Sequence, residues 1–179
     1  MLISIEDLKR IYTDKDFSKF SDERLKTKLE AIEIAIRAYT KCNFQNRAIR
    51  TNAKAQDGAL YGDFDYFKSG DTVQISGSVN DGLYVLTSAT SNSAGVDGEL
   101  YDAEGMLITK IVYPLDVIDG CVELLDYDVN KRAQTTSGIT SESISRHSVS
   151  YKQYSEANTI EGYPSEMFGF LRKYCQWRT

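Results

Sequence analysis

Leu25, Leu29, Ile32, Ile36 and Tyr39 recur at intervals of four, three, four and three residues, which sets them on one stripe of a helix. Ser21-Asp22-Glu23 is a suitable start for it, since Ser accepts from a free backbone N–H and acids favour the positive end of the dipole. Ala31, Ile34, Ala35 and Ala38 add a second, smaller apolar face. Such a helix has two neighbours, and the second face serves either a two-sided core or another subunit. Ser4-Ile5-Glu6-Asp7 opens a shorter helix ending near Thr13-Asp14. After Arg50 the pattern changes. Asp71 to Ser76 alternates polar and apolar, Asn80-Asp81-Gly82 signals a hairpin turn, and Leu83 to Leu86 returns. Further strands are expected at Glu99–Tyr101 and Leu107–Val112. Tyr113-Pro114 starts a helix reaching about Asn130, with Val117, Cys121, Val122 and Leu125 on its apolar side. Gly120 inside it points to a close approach by a neighbour. Thr135 to Ser150 is rich in Ser and Thr and cannot build a core of its own. Tyr163-Pro164-Ser165-Glu166 starts a last, aromatic helix.

These elements predict an α+β fold. A helical body of about four helices, residues 1–50 and 114–179, carries a small antiparallel β insert, residues 51–113. Gly70-Asp71-Thr72-Val73 and Asn80 to Tyr84 resemble the strand–turn–strand of SH3-like barrels, and the insert is expected to be such a barrel or a sandwich.

Charge narrows the function. The net charge of -5 is uneven: residues 1–50 carry 11 basic and 8 acidic side chains, and residues 51–113 carry 3 and 9. The only cations of 51–113 are Lys54, Lys68 and Lys110, so that segment would repel a phosphate backbone. A nucleic-acid module built on the barrel is the alternative function, and it requires a basic face. Cys42, Cys121 and Cys175 are too far apart in sequence for a metal-ligand motif and read as buried thiols of a reducing compartment. The single histidine, His147, makes a catalytic triad or a two-histidine zinc site a poor fit. Asp126, Asp128 and Asn130 lack the glycine and terminal glutamate of a calcium loop and read as a solvated helix end. No enzyme activity, cofactor or metal is expected. No apolar run approaches the ~20 residues of a membrane span, and Glu6 and Asp7 sit where a signal peptide is basic and then apolar, so synthesis in the cytoplasm is expected.

The stretch Phe168 to Arg178 concentrates aromatics and cations, the residue types enriched in interface hot spots. Two uses are open: closing the chain's own core through Phe168 and Leu171, or docking onto another chain.

The opening helix, the long apolar helix ending near Tyr39 and Phe44, the run Gly138 to Tyr151 containing Ser141-Glu142-Ser143-Ile144, and the ending Phe170-Leu171-Arg172-Lys173-Tyr174 together resemble the head–tail connector (adaptor) proteins of tailed phages. The resemblance covers roughly residues 1–50 and 114–175; the β segment departs from the smallest, mostly helical members. It implies a structural virion protein of the neck that forms a ring, a dodecamer, beneath the portal. The capsid is thereby joined to the tail, and DNA passes through the channel without sequence-specific binding. Its partners would be the portal protein and a stopper or tail-completion protein. Portal binding would fall to Phe168, Phe170, Leu171, Arg172, Tyr174, Trp177 and Arg178. Subunit contacts would fall to Leu25, Leu29, Ile32, Ile36 and Tyr39, and the channel or inter-subunit loop to Ser141, Glu142, Ile144, Arg146 and His147.

Overall fold

The computed structural model describes residues 2–132, 159–175 and the strand backbones 141–144 and 147–150. The chain divides into two units, Asn43–Tyr113 and Leu2–Cys42 with Pro114–Thr179.

The first unit is a closed antiparallel barrel of six strands: β1 (Gln45–Gln56), β2 (Ala59–Gly62), β3 (Thr72–Ser76), β4 (Gly82–Ala89), β5 (Ser93–Val96) and β6 (Ala103–Ile111). Their order around the barrel is β1-β2-β5-β4-β3-β6, and β6 closes it against β1. Alternation sets the inside: Val73 and Ile75 on β3, Met106 and Ile108 on β6, and Ala53 and Ala55 on β1 are all buried. Phe64 and Phe67, from the loop after β2, meet edge to face with centroids 5.3 Å apart and join the same core. β1 pairs with both β2 and β6, and register shifts between Gln45 and Arg50 and between Ala53 and Ala55 let it bend. Asp57 and Gly58 turn β1 into β2 with φ of 51° and 75°, the left-handed conformation a two-residue hairpin needs. Asn80 does more than turn the chain. Its buried side chain donates to the Tyr101 carbonyl at 2.7 Å and accepts from the Tyr101 N–H at 2.9 Å, so the loop before β6 is held by the β3–β4 turn.

The β unit differs from the sequence expectation in two places. The β unit begins at Asn43, within the segment assigned to the helical body. Gln45 to Arg50 shows no clear alternation because only Ile49 of that stretch packs on the barrel core. The strand expected at Glu99–Tyr101 is replaced by β5, Ser93–Val96, whose small residues are a weak strand signal.

The second unit contains α1 (Ile5–Ile11), α2 (Asp22–Thr40) and α3 (Leu115–Asp126), the last continued by a π turn, Tyr127–Lys131. Ser4 and Ser21 cap α1 and α2, accepting from the N–H groups of Asp7 and Arg24. Two short hairpins follow, β7 (Ser141–Ile144) with β8 (His147–Ser150), and β9 (Thr159–Ile160) with β10 (Tyr163–Pro164). A 3-10 helix, Ser165–Tyr174, completes the unit. The expected body of about four helices is therefore not what forms. α1 has only 7 residues, and the fourth segment, starting after Pro164 and interrupted by Gly169, winds as 3-10 rather than α. Among the described residues only α2 and α3 are long α-helices; α+β remains the class. Among the described residues no helix is long and apolar enough to cross a membrane.

A buried carboxylate gathers this unit. The Asp128 side chain is 1% exposed. Its Oδ2 lies 3.0 Å from Lys28 Nζ of α2 and accepts from the Tyr163 hydroxyl of β10 at 2.9 Å. Arg132 Nε is 3.0 Å from Oδ1, an ion pair without the alignment of a hydrogen bond. Arg132 also donates to the Gly162 carbonyl at 2.8 Å and lies 4.8 Å over the Tyr163 ring. Asp126, one turn away in role, accepts from Asn130 at 2.9 Å and pairs with Lys131 at 3.0 Å. Burial pushes its carboxyl up, but these two partners outweigh it and hold the group below the usual carboxylate range. The acids expected on a solvated helix end are thus largely buried and paired: the π turn aims Asp128 at α2 and the β9–β10 hairpin and brings Asn130 and Lys131 onto Asp126.

The barrel's ends meet through its own atoms: Val112 N donates to Phe44 O at 2.9 Å, and the Phe44 and Tyr113 rings lie 5.0 Å apart. A fragment of residues 43–113 is expected to fold alone and melt cooperatively, as followed by circular dichroism and amide NMR dispersion. An unfolded fragment would show that the barrel depends on the rest of the chain.

Candidate functional site

The long stripe of α2 belongs to the chain's own core. Leu25, Leu29, Ile32 and Ile36 are at most 1% exposed, and half-buried Tyr39 meets the Phe168 ring edge-on at 5.2 Å. These five residues are therefore not a free subunit contact. The smaller face is the open one: Ala31 and Ala38 are exposed, and Ile34 is 65% exposed.

The tail residues divide in the same way. Phe168 and Leu171 are fully buried, so the 3-10 helix closes the unit's own core and those two are unavailable for docking. Arg172 is exposed. Tyr174 donates its hydroxyl to Asp116 at 2.7 Å, and Lys173 pairs with the same carboxylate at 3.0 Å. Burial pushes Asp116 up, but the Tyr174 and Lys173 donors prevail and hold it below the usual range. Trp177, Arg178 and Arg146 lie outside the described residues. Ser141, Glu142 and Ile144 fall on β7 and His147 on β8, a two-stranded sheet joined by no other described strand.

Phe170 marks a place that spacing alone did not reveal. Its ring covers Gly120 of α3, where a Cβ would overlap it. Together with Met167 they floor a cavity of about 610 Å³. Its rim carries Asp116, Asp119 and Glu123, one face of α3, with Tyr12, Asp14 and Lys15 from the segment after α1. The i, i+3, i+7 spacing of the three acids was visible in the sequence; that Tyr12 and Phe170 would complete the wall was not. Tyr12 donates to Asp119 at 2.5 Å, and burial, followed by that bond, pushes its phenol up to about 12. Lys15 Nζ lies 2.8 Å from Glu123, a contact that raises the ammonium despite the opposing effect of burial.

This chemistry favours holding over turnover. Asp116, Asp119 and Glu123 each have a donor, and Tyr12 stays a neutral donor through the physiological range. Cys121 is fully buried, and burial pushes its thiol up, so it is not a poised nucleophile. An apolar floor with an acidic rim fits a basic, apolar segment of another chain. Compared with known proteins, the chain matches no family model and no curated protein sequence.

The Gly120–Phe170 contact gives a sign test. In a helix Gly→Ala gains ~1 kcal/mol, but overpacking costs ~1–3 kcal/mol. Gly120→Ala is therefore expected to lower stability by up to ~2 kcal/mol in urea unfolding. In a Phe170→Ala background the same substitution is expected to raise stability by ~1 kcal/mol. Equal effects in both backgrounds would remove the steric explanation.

Proposed function

We propose that the protein is a head–tail connector subunit, a structural component of a phage neck that forms a ring on the portal and lets DNA pass to the tail. The observation that carries this is the division of α2 into two apolar faces. One face is consumed by the chain's own core; the other, Ala31, Ile34 and Ala38, is exposed on a helix of 19 residues. Small side chains flanking one larger one permit close helix approach, as a lateral contact repeated around a ring requires. The lateral contact is accordingly assigned to this face.

Two further features support the proposal. The β7–β8 hairpin lies in the stretch that carries the resemblance, and a two-stranded hairpin is marginally stable alone in water. Pairing an edge with a neighbouring subunit would stabilise it. The acid-rimmed cavity over Phe170 offers the portal an apolar slot, with Arg172 exposed on the same 3-10 helix.

Co-expression with the portal protein encoded beside it is expected to yield a stable high-order assembly in light scattering, with a ring visible by electron microscopy. Ile34→Asp is expected to abolish the assembly while the isolated chain keeps its melting temperature, because the side chain is exposed. Failure of the unaltered protein to associate with the portal would overturn the connector role. Normal assembly of the Ile34→Asp variant would overturn the lateral contact.

A further inference from the structure

The barrel has a basic strand that its net charge conceals. β1 begins at Gln45, so the barrel gains Arg47 and Arg50 beside Lys54. All three are exposed. Among the described residues the Arg47 and Arg50 side chains hold no ion pair or hydrogen bond. That is unlike Lys110, which pairs with Asp71 at 2.6 Å. Arg50, Asn52 and Lys54 alternate with buried Ala53 and Ala55, so they line one outward row. Arg50 and Lys54 are about 13 Å apart along an extended strand. Opposite Lys54 stands Tyr61 of β2, 41% exposed, with the Lys54 ammonium 5.9 Å from the ring centre.

Among the described residues no acid of the barrel forms an ion pair with this row, although Glu104 of β6 is exposed beside Lys54. Asp71 is taken by Lys110. Asp63, Asp81, Asp97 and Asp102 accept from backbone N–H groups in turns and loops. Positive charge therefore runs along one strand, while negative charge is held mainly at the connections.

We infer that β1, through Arg50 and Lys54 of the outward row with Tyr61 beside them and through exposed Arg47 in the irregular stretch that precedes the row, contacts the sugar–phosphate backbone of nucleic acid. Guanidinium forks match phosphate oxygens, and an exposed aromatic beside a cationic strand provides a surface on which a base stacks. A narrow cationic track suits a linear polyanion; a broad acidic protein face would also meet the acidic connections. With three cations the contact is weak, independent of sequence and sensitive to salt. It needs no portal, so it stands or falls separately from the connector role.

The test is fluorescence anisotropy of the full chain with labelled mixed-sequence DNA, single-stranded and duplex, titrated between about 50 and 200 mM salt. Salt-dependent binding to at least one of the two is expected. Arg47→Gln/Arg50→Gln/Lys54→Gln should weaken it by about tenfold or more and reduce the log–log salt slope by about 2–3. Arg47→Lys/Arg50→Lys should retain most of the binding, which separates lost charge from lost fold. Absence of binding by the unaltered chain at about 50 mM salt would overturn the inference. So would unchanged binding by the triple Gln variant, or equal competition by polyglutamate at matched charge.

Discussion

Asp128 is the constraint on which the helical unit turns. A carboxylate that is 1% exposed requires compensation, since an unpaired buried charge is costly. Lys28 reaches it from α2, Tyr163 from the β9–β10 hairpin and Arg132 from the end of the π turn. Three segments far apart in sequence are thus tied at one point. The aromatic contacts follow from that placement: Tyr163 packs on Tyr127 and on Phe168, both with centroids 6.1 Å away, and Phe168 meets Tyr39. The 3-10 helix is seated by the same arrangement, and its far side leaves Phe170 over Gly120.

The barrel rests on different physics. Its strands enclose an apolar core, and closure of β6 on β1 removes the open edges that a six-stranded sheet would otherwise expose. Polar links cluster at the connections, with Asn80 the clearest because it satisfies both backbone groups of Tyr101. One chain therefore holds two solutions to the same problem. One unit is organised by closure around apolar side chains, the other by a buried ion cluster bracketed by aromatic rings. Surface function follows from what each leaves unused: the Ala31–Ile34–Ala38 face and the acid-rimmed cavity in one unit, and the unpaired arginines of β1 in the other.

Much of the local structure was legible from the sequence. Ser21 marks the start of α2, the 4-3-4-3 spacing marks its buried stripe, Pro114 precedes α3, and Asn80-Asp81-Gly82 turns β3 into β4. Gly120 correctly signalled a close approach, though the neighbour is an aromatic ring rather than a backbone. What pattern did not yield has specific causes. β1 presents small Ala53 and Ala55 to the interior, and alternation built on alanine is faint; the Asp57-Gly58 turn was the available clue. That misplaced boundary removed Arg47 and Arg50 from the barrel's charge and made it look more acidic than it is. Amphipathic periodicity showed that α2 has two faces but not which one the chain would keep. Asp128 read as solvated because two of its partners, Lys28 and Tyr163, are distant in sequence.

The buried Asp128 cluster organises the helical unit, while the barrel is held by its own core. Residue-resolved amide hydrogen exchange of an Asp128→Ala variant tests it most directly. Removing one partner of a buried ion pair costs ~3–5 kcal/mol, so protection of α2 and α3 should fall by about that amount. The amides of β3, β4 and β6 should keep theirs. Equal losses in both units, or a loss below ~1 kcal/mol in α2 and α3, would contradict the claim, since the latter is the size of an exposed ion pair.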